Sequence, residues 1–194
     1  RRNGPFNFTL IDVVERKTVA ATSAERYVAL SYVWGDGNKF KARLDTGTVA
    51  QLMQAGYLSK DNEDIPLVIR DAMDMVQAVG LRFLWVDSIC ITQDDAESQE
   101  QIYSMDRIYA GALITIIALS AAHADEALPG VRLGTRQYTS FVETIHDKQL
   151  ITAFPHVWEV FDSSAYATRG WTFQEQILSN RRLYVTEHQL YWDC

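Results

Sequence analysis

The sequence predicts an α/β domain: a largely parallel sheet with flanking helices, an insertion before the last helix, and a C-terminal hairpin. Three observations lead there. Apolar, β-rich runs at 27–33, 82–91 and 113–120 are separated by segments with helical periodicity. The runs are largely apolar, and 82–91 is nearly unbroken, as expected for parallel strands covered on both faces. Strand and helix then alternate along the chain, the order that builds parallel sheets.

YVALSYV (27–33) is the first such strand, and Trp34-Gly35-Asp36-Gly37 ends it with a turn signal. A short helix is expected near 47–56. In DIPLVIRDAMDMVQAVG, Asp64 is a good N-cap and Pro66 suits a first turn. Val68, Ala72, Met75, Val76 and Val79 recur at helical spacing, and Gly80 is a natural stop. RFLWVDSICI (82–91) reads as a buried strand. Asp94 or Asp95 then caps a helix over roughly 96–110, with Ile102, Met105 and Tyr109 as its inner stripe. LITIIALS (113–120) is a third buried strand. Residues 121–165 are weakly patterned, with Gly130 and Gly134 marking loops. A short helix over 170–178 comes next, then two strands around Glu187-His188. Residues 1–26 are an N-terminal extension, expected as one strand packed on a domain spanning 27–194.

Composition narrows the function. Of the 194 residues, 47% are hydrophobic and 22% charged, which is enough for a real core and argues against disorder. A net charge of -7 disfavours nucleic acid as the main partner, because phosphate binding needs a basic footprint. Two cysteines, Cys90 and Cys194, are too few for a disulfide scaffold and point to a reducing, cytoplasmic setting. The longest apolar run, ALITIIALSAA (112–122), is too short for a membrane span. RRNGPFNF has no signal-peptide core, and a chain without an initiator Met that stops on WDC reads as part of a longer polypeptide.

Parallel sheets bind ligands beyond the carboxyl ends of their strands. Three polar clusters fall there: Trp34-Gly35-Asp36, Asp87 to Asp95, and Ser120 to His123. Asp87, Asp94 and Asp95 invite a hard cation, but no P-loop or calcium-loop spacing accompanies them, and the four histidines have no zinc spacing. No metal is therefore expected. Cys90 has histidines to partner it, yet within an apolar run it reads as a small hydrophobe. Tyr32, Trp34, Trp85 and Trp171 are available to stack on a planar ring. The residue that stands out is Glu175. It lies on the helix at 170–178 among Thr172, Phe173, Gln174 and Ile177, with Arg169 just before, and a Glu in a half-apolar helix is paired or functional.

YVALSYVWG (27–35), LWVDSICITQDD (84–95), QIYSMDRIYAGALITIIAL (101–119) and RGWTFQEQILSNRRLYV (169–185) together resemble, in order and spacing, the blocks of the fungal heterokaryon-incompatibility (HET) domain. The resemblance implies a role in fungal allorecognition, in which programmed cell death results from fusion of unlike hyphae. It also implies that the domain works within a larger protein, beside other domains. HET domains are in turn similar to Toll/interleukin-1 receptor (TIR) domains, which have a flavodoxin-like fold and in several cases cleave NAD at the nicotinamide–ribose bond. The TIR catalytic Glu comes four residues after a Trp, and Trp171-Thr172-Phe173-Gln174-Glu175 has that spacing.

By this resemblance Glu175 is the catalytic residue. Ser31, Tyr32, Trp34, Gly35, Asp87, Arg169 and Trp171 would hold an NAD-like nucleotide, which is a substrate and not a cofactor. Homo-oligomerisation on activation is implied too. The alternative is a non-catalytic, oligomerising signalling module, in which Glu175 pairs with Arg169 or Arg181 and is structural.

Overall fold

A computed structural model of the chain describes residues 5–35, 45, 47–92, 98–136 and 141–194; of residues 98–100 and of Trp171 only the backbone is described. Strands β1 (Asn7–Asp12) and β2 (Lys17–Thr22) form an antiparallel hairpin in which Leu10 faces Val19. β3 (Tyr27–Ser31) is buried at all five positions. After a single turn of helix, α1 (Val49–Leu52), comes α2 (Leu67–Ala78), which leads to β4 (Phe83–Trp85). The short α3 (Asp87–Cys90), α4 (Ser98–Tyr103) and α5 (Met105–Gly111) precede β5 (Ile114–Ala118). A separate hairpin, β6 (Val142–Ile145) with β7 (Lys148–Ile151), and α6 (Val157–Asp162) occupy the insertion after β5. A 3-10 turn (Tyr166–Thr168), α7 (Gly170–Leu178), β8 (Arg182–Val185) and β9 (Leu190–Asp193) complete the chain.

Seven strands form one sheet in the order β2-β1-β4-β3-β5-β8-β9. β4, β3, β5 and β8 run parallel, while the β1–β2 hairpin and β9 extend the sheet antiparallel at its two sides. Numbered by their order in the chain, the parallel strands lie 2-1-3-4, so the connections reverse direction between β3 and β5. Right-handed crossovers then place α2 on one face and α5 and α7 on the other. Tyr27 and Ser31, four apart on β3, point to the same face. The Tyr27 hydroxyl donates to the Ile108 carbonyl of α5 at 2.6 Å, and Ser31 reaches α7. α5 and α7 pack against each other on that face.

Several elements depart from the sequence-based expectation. The run 82–91 is a three-residue strand and then a turn of helix. Val86 is extended, and the Cys90 amide donates to the Val86 carbonyl at 2.7 Å. Unbroken apolarity there records burial, which a strand and a buried helix share. The N-cap of α2 is Pro66, not Asp64, and no side chain caps it. Its buried face is Val68, Ile69, Ala72, Met73 and Val76, while Val79 is exposed. Gly80, at φ +76°, ends α2 as expected, and the Leu81 amide closes back on Val76. The helix expected over 96–110 breaks at Ser104, leaving Ile102 exposed and Tyr109 buried. Asp36, Asp94 and Asp95 lie outside the described residues. The N-terminal extension contributes a hairpin rather than one strand, and β1 continues the main sheet through Ile11 opposite Leu84.

Candidate functional site

The site lies at the carboxyl ends of β3 and β4, beside the reversal in strand order. β3 ends at Ser31, and the chain continues through Tyr32 and Val33 to Trp34. β4 ends at Trp85, two residues before Asp87 opens α3. The Trp34 Nε1–H donates to Asp87 Oδ2 at 2.8 Å, and the Ser88 amide donates to Oδ1 at 2.7 Å. Two clusters distant in sequence thereby become one wall. Gly35, at φ +77°, packs so closely on the third cluster that an added Cβ would sit 2.6 Å from His123 Cβ.

The opposite wall comes from α7. Arg169 immediately precedes it and donates to the Tyr32 carbonyl at 2.9 Å, tying the start of α7 to the end of β3. Thr172 donates to the carbonyls of Tyr166 and Arg169 at 2.8 and 2.6 Å. This fastening directs Glu175 inward, where only 7% of it is exposed. Its Oε2 accepts a hydrogen bond from Ser31 Oγ, and Ser31 Oγ is also hydrogen-bonded to the Tyr166 hydroxyl.

Trp34, Asp87, Arg169 and Glu175, with Ile91, Ile102 and Met105, line a cavity of about 270 Å³. One side is apolar; the other holds two carboxyls and a guanidinium. Burial raises both acids. Glu175 is pushed up to about 7 by desolvation and then by the Asp87 charge, against the Ser31 hydrogen bond and Arg169. Asp87 is pushed up to about 6 by desolvation, against its bonds to Ser88 and Trp34 and the charge of Arg169. Two acids poised close to neutrality, with a cation between sheet and helix, suit chemistry in which positive charge develops on a ligand.

Some candidate residues stand elsewhere. Ser31, 1% exposed, and Tyr32, 3% exposed, do not line the cavity. Ser31 supports Glu175 from behind, and the Tyr32 hydroxyl pairs with Ser88 Oγ at 2.8 Å. Gly35 serves close packing on His123. For Trp171 the backbone lies on α7 and the side chain is outside the described residues. Glu175 meets Ser31, not Arg181, among the described contacts. Cys90 is buried, and desolvation pushes its thiol up to about 12, so it holds no thiolate at neutral pH. Among the described residues no three His, Cys, Asp or Glu side chains are grouped to hold a metal ion. No helix among them is long and apolar enough to cross a membrane.

Sequence reasoning missed Tyr166 and the apolar wall of Ile91 and Met105. Tyr166 sits in a segment without periodicity, and no local signal announces that its hydroxyl meets Ser31, 135 residues away.

An α/β domain whose strand ends enclose a carboxylate-lined cavity is the class that fold and site define. The profile of the heterokaryon incompatibility protein (HET) family matches residues 27–175, and the chain belongs to that family. Heterokaryon incompatibility protein 6, OR allele, of Neurospora crassa is 30% identical over 110 residues, covering 51% of this chain and 15% of that protein. Vegetative incompatibility protein HET-E-1 of Podospora anserina is 26% identical over 152 residues, covering 78% of this chain and 9% of that protein. The chain thus spans a small part of either relative. No solved structure matches it.

Proposed function

We propose that this chain is an effector domain of fungal heterokaryon incompatibility, and that it triggers cell death by hydrolysing NAD at the nicotinamide–ribose bond. The observation that carries the proposal is the placement of Glu175: a carboxyl almost wholly buried, yet on the wall of a cavity beyond the parallel strands. Membership of the family and the incompatibility proteins among its relatives support the cell-death role. The 2-1-3-4 order of parallel strands supports the reading of a flavodoxin-like, TIR-like sheet, and the cavity lies near the reversal in strand order.

The chemistry is governed by charge. As the C–N bond breaks, nicotinamide leaves as a neutral base with the electron pair, and the ribose acquires oxocarbenium character. An ionised Glu175 stabilises that charge more than the ground state, which lowers the barrier. Water adds to the anomeric carbon and its proton passes to a cavity carboxylate. Trp34 offers a ring face for the nicotinamide, and Arg169 offers a cation on the cavity wall for a phosphate. At about 270 Å³ the cavity suits the nicotinamide riboside half, with the rest of the dinucleotide outside.

A second reading, the non-catalytic oligomerising module, is favoured by a different observation. Phe173 and Ile177 form an exposed apolar ridge on α7, and Phe141, Val142, Ile145, Leu150 and Ile151 leave the β6–β7 hairpin apolar and exposed. The test is nicotinamide release by concentrated protein beside Glu175→Ala and Glu175→Gln. Release that vanishes in both folded variants supports the enzyme. No turnover in any oligomeric state, with cell killing intact in Glu175→Gln, leaves the module.

A further inference from the structure

Glu175 is anchored through a line of hydroxyls that begins in the 3-10 turn before α7. An ionised carboxylate only accepts, so Ser31 donates its single proton to Oε2. Ser31 Oγ, its proton committed, then accepts from the Tyr166 hydroxyl. We infer that Tyr166 and Ser31 are positioning residues: a directed chain, Tyr166 to Ser31 to Glu175, that holds the Glu175 carboxyl in one orientation inside the cavity and favours its ionised form over the neutral acid. The inference deepens the reading of Glu175 as the working carboxylate and rests on it.

Three facts make the chain a device rather than a coincidence. Ser31 and Tyr166 are 1% and 0% exposed, so neither is positioned to touch a ligand, and both act only through Glu175. Tyr166 is itself held: its ring meets Phe161 edge-on at 6.0 Å, and its carbonyl accepts from Thr172 of α7. The turn bearing Tyr166 and the helix bearing Glu175 therefore keep one geometry. Burial pushes the Tyr166 phenol far above its ordinary range, so it remains a donor at any working pH. The Tyr109 hydroxyl also faces Glu175 from α5. Against the hydroxyls stand desolvation and the Asp87 charge, both of which favour the neutral acid. A hydrogen bond to a carboxylate is charge-assisted and stronger than one to a neutral acid, so the chain, together with the Arg169 charge, offsets part of the rise that burial and Asp87 cause.

The test is the titration of Glu175 itself, monitored by NMR of protein labelled with carbon-13 at glutamate carboxyls, with Glu175→Gln to assign the signal. Wild type, Tyr166→Phe, Ser31→Ala and the double variant are compared. The expected result is a midpoint raised by about one pH unit in each single variant, the worth of one hydrogen bond. In the double variant the two shifts do not add, because they break one chain. An unmoved midpoint in Tyr166→Phe, which keeps the ring and its packing, overturns the inference even where Ser31→Ala fails to fold. Additive shifts overturn it too. The readout does not consult turnover. Shifted midpoints in a protein that releases no nicotinamide uphold the chain and sink the reaction; unmoved midpoints with normal release do the reverse. If both stand, kcat falls in Tyr166→Phe with the acid limb of its pH profile moved upward, and KM for NAD is unchanged.

Discussion

Ser31 at the end of β3 and Glu175 in the middle of α7 share a hydrogen bond across 144 residues of sequence. The bond joins the strand that defines the centre of the sheet to the helix that carries one of the cavity's two acids. Both the charge of that acid and its direction depend on the join.

Replacing Glu175 with Gln keeps the shape of the carboxyl and removes its charge. Nicotinamide release is expected to fall by about 10²–10³-fold, the usual cost of losing one preorganised electrostatic group. Circular dichroism should be unchanged. A variant with wild-type turnover would show that the charge has no part in the reaction.

The same residue shapes stability against pH. Glu175 in the folded protein titrates near 7, against an ordinary 4.5, and Asp87 near 6, against 3.8. Both hold their protons more tightly when folded. Their contribution is therefore full below about pH 4 and is lost as pH rises through 6 and 7. Urea midpoints should fall across that window, and Glu175→Gln should flatten the fall. The difference between the two curves is expected to be on the order of 3–4 kcal/mol, from the rise of Glu175 from 4.5 to about 7 at about 1.4 kcal/mol per pH unit. Parallel curves would refute the placement of Glu175.

Gly35 and Gly56 both have positive φ, +77° and +81°, but only Gly35 has a neighbour in the way, His123 Cβ at 2.6 Å. Gly56→Ala carries backbone strain alone and should cost about 1 kcal/mol. Gly35→Ala adds a clash that pushes Trp34 off Asp87. It should cost more in denaturant titration and lower nicotinamide release, whereas Gly56→Ala leaves release intact.

Asp71 is fully buried on α2, where it accepts from the Leu128 amide at 2.8 Å and Arg132 Nε at 2.6 Å. It pins the loop after β5 to the face opposite α7. Asp71→Ala leaves a buried amide unpaired and a cation without its partner. The expected loss is about 2–3 kcal/mol, or roughly 5–10 °C in Tm. A shift under about 2 °C, well below that expectation, would mean the loop is held by other contacts.

How much was legible beforehand depended on whether the signal was local. Apolar runs marked β3 and β5, because a parallel strand must be apolar on both faces wherever it lies, and β8 and β9 were legible as the two strands of a hairpin around Glu187-His188. Gly80 marked the end of α2 for an equally local reason, the positive φ that its stop requires. Glu175 drew notice through its apolar neighbours and Asp87 through its place after a strand. The run 82–91 misled because burial alone dictates its composition, and a buried turn of helix satisfies that as well as a strand does. Ser31 was selected for touching a ligand and instead touches Glu175, since a strand's alternation gives a residue's face but not what covers it.

By itself, then, the sequence determined the class of the fold, the parallel core strands and the identity of the acid worth watching, all consequences of composition and spacing over a few residues. Only the tertiary structure decided that Trp34 and Asp87 are joined, that Arg169 binds the end of β3, and that Tyr166 reaches Glu175 through Ser31. Those contacts arise from the order in which strands pack. Hydrogen bonds between residues 53 to 144 positions apart leave no trace in the local pattern of either partner.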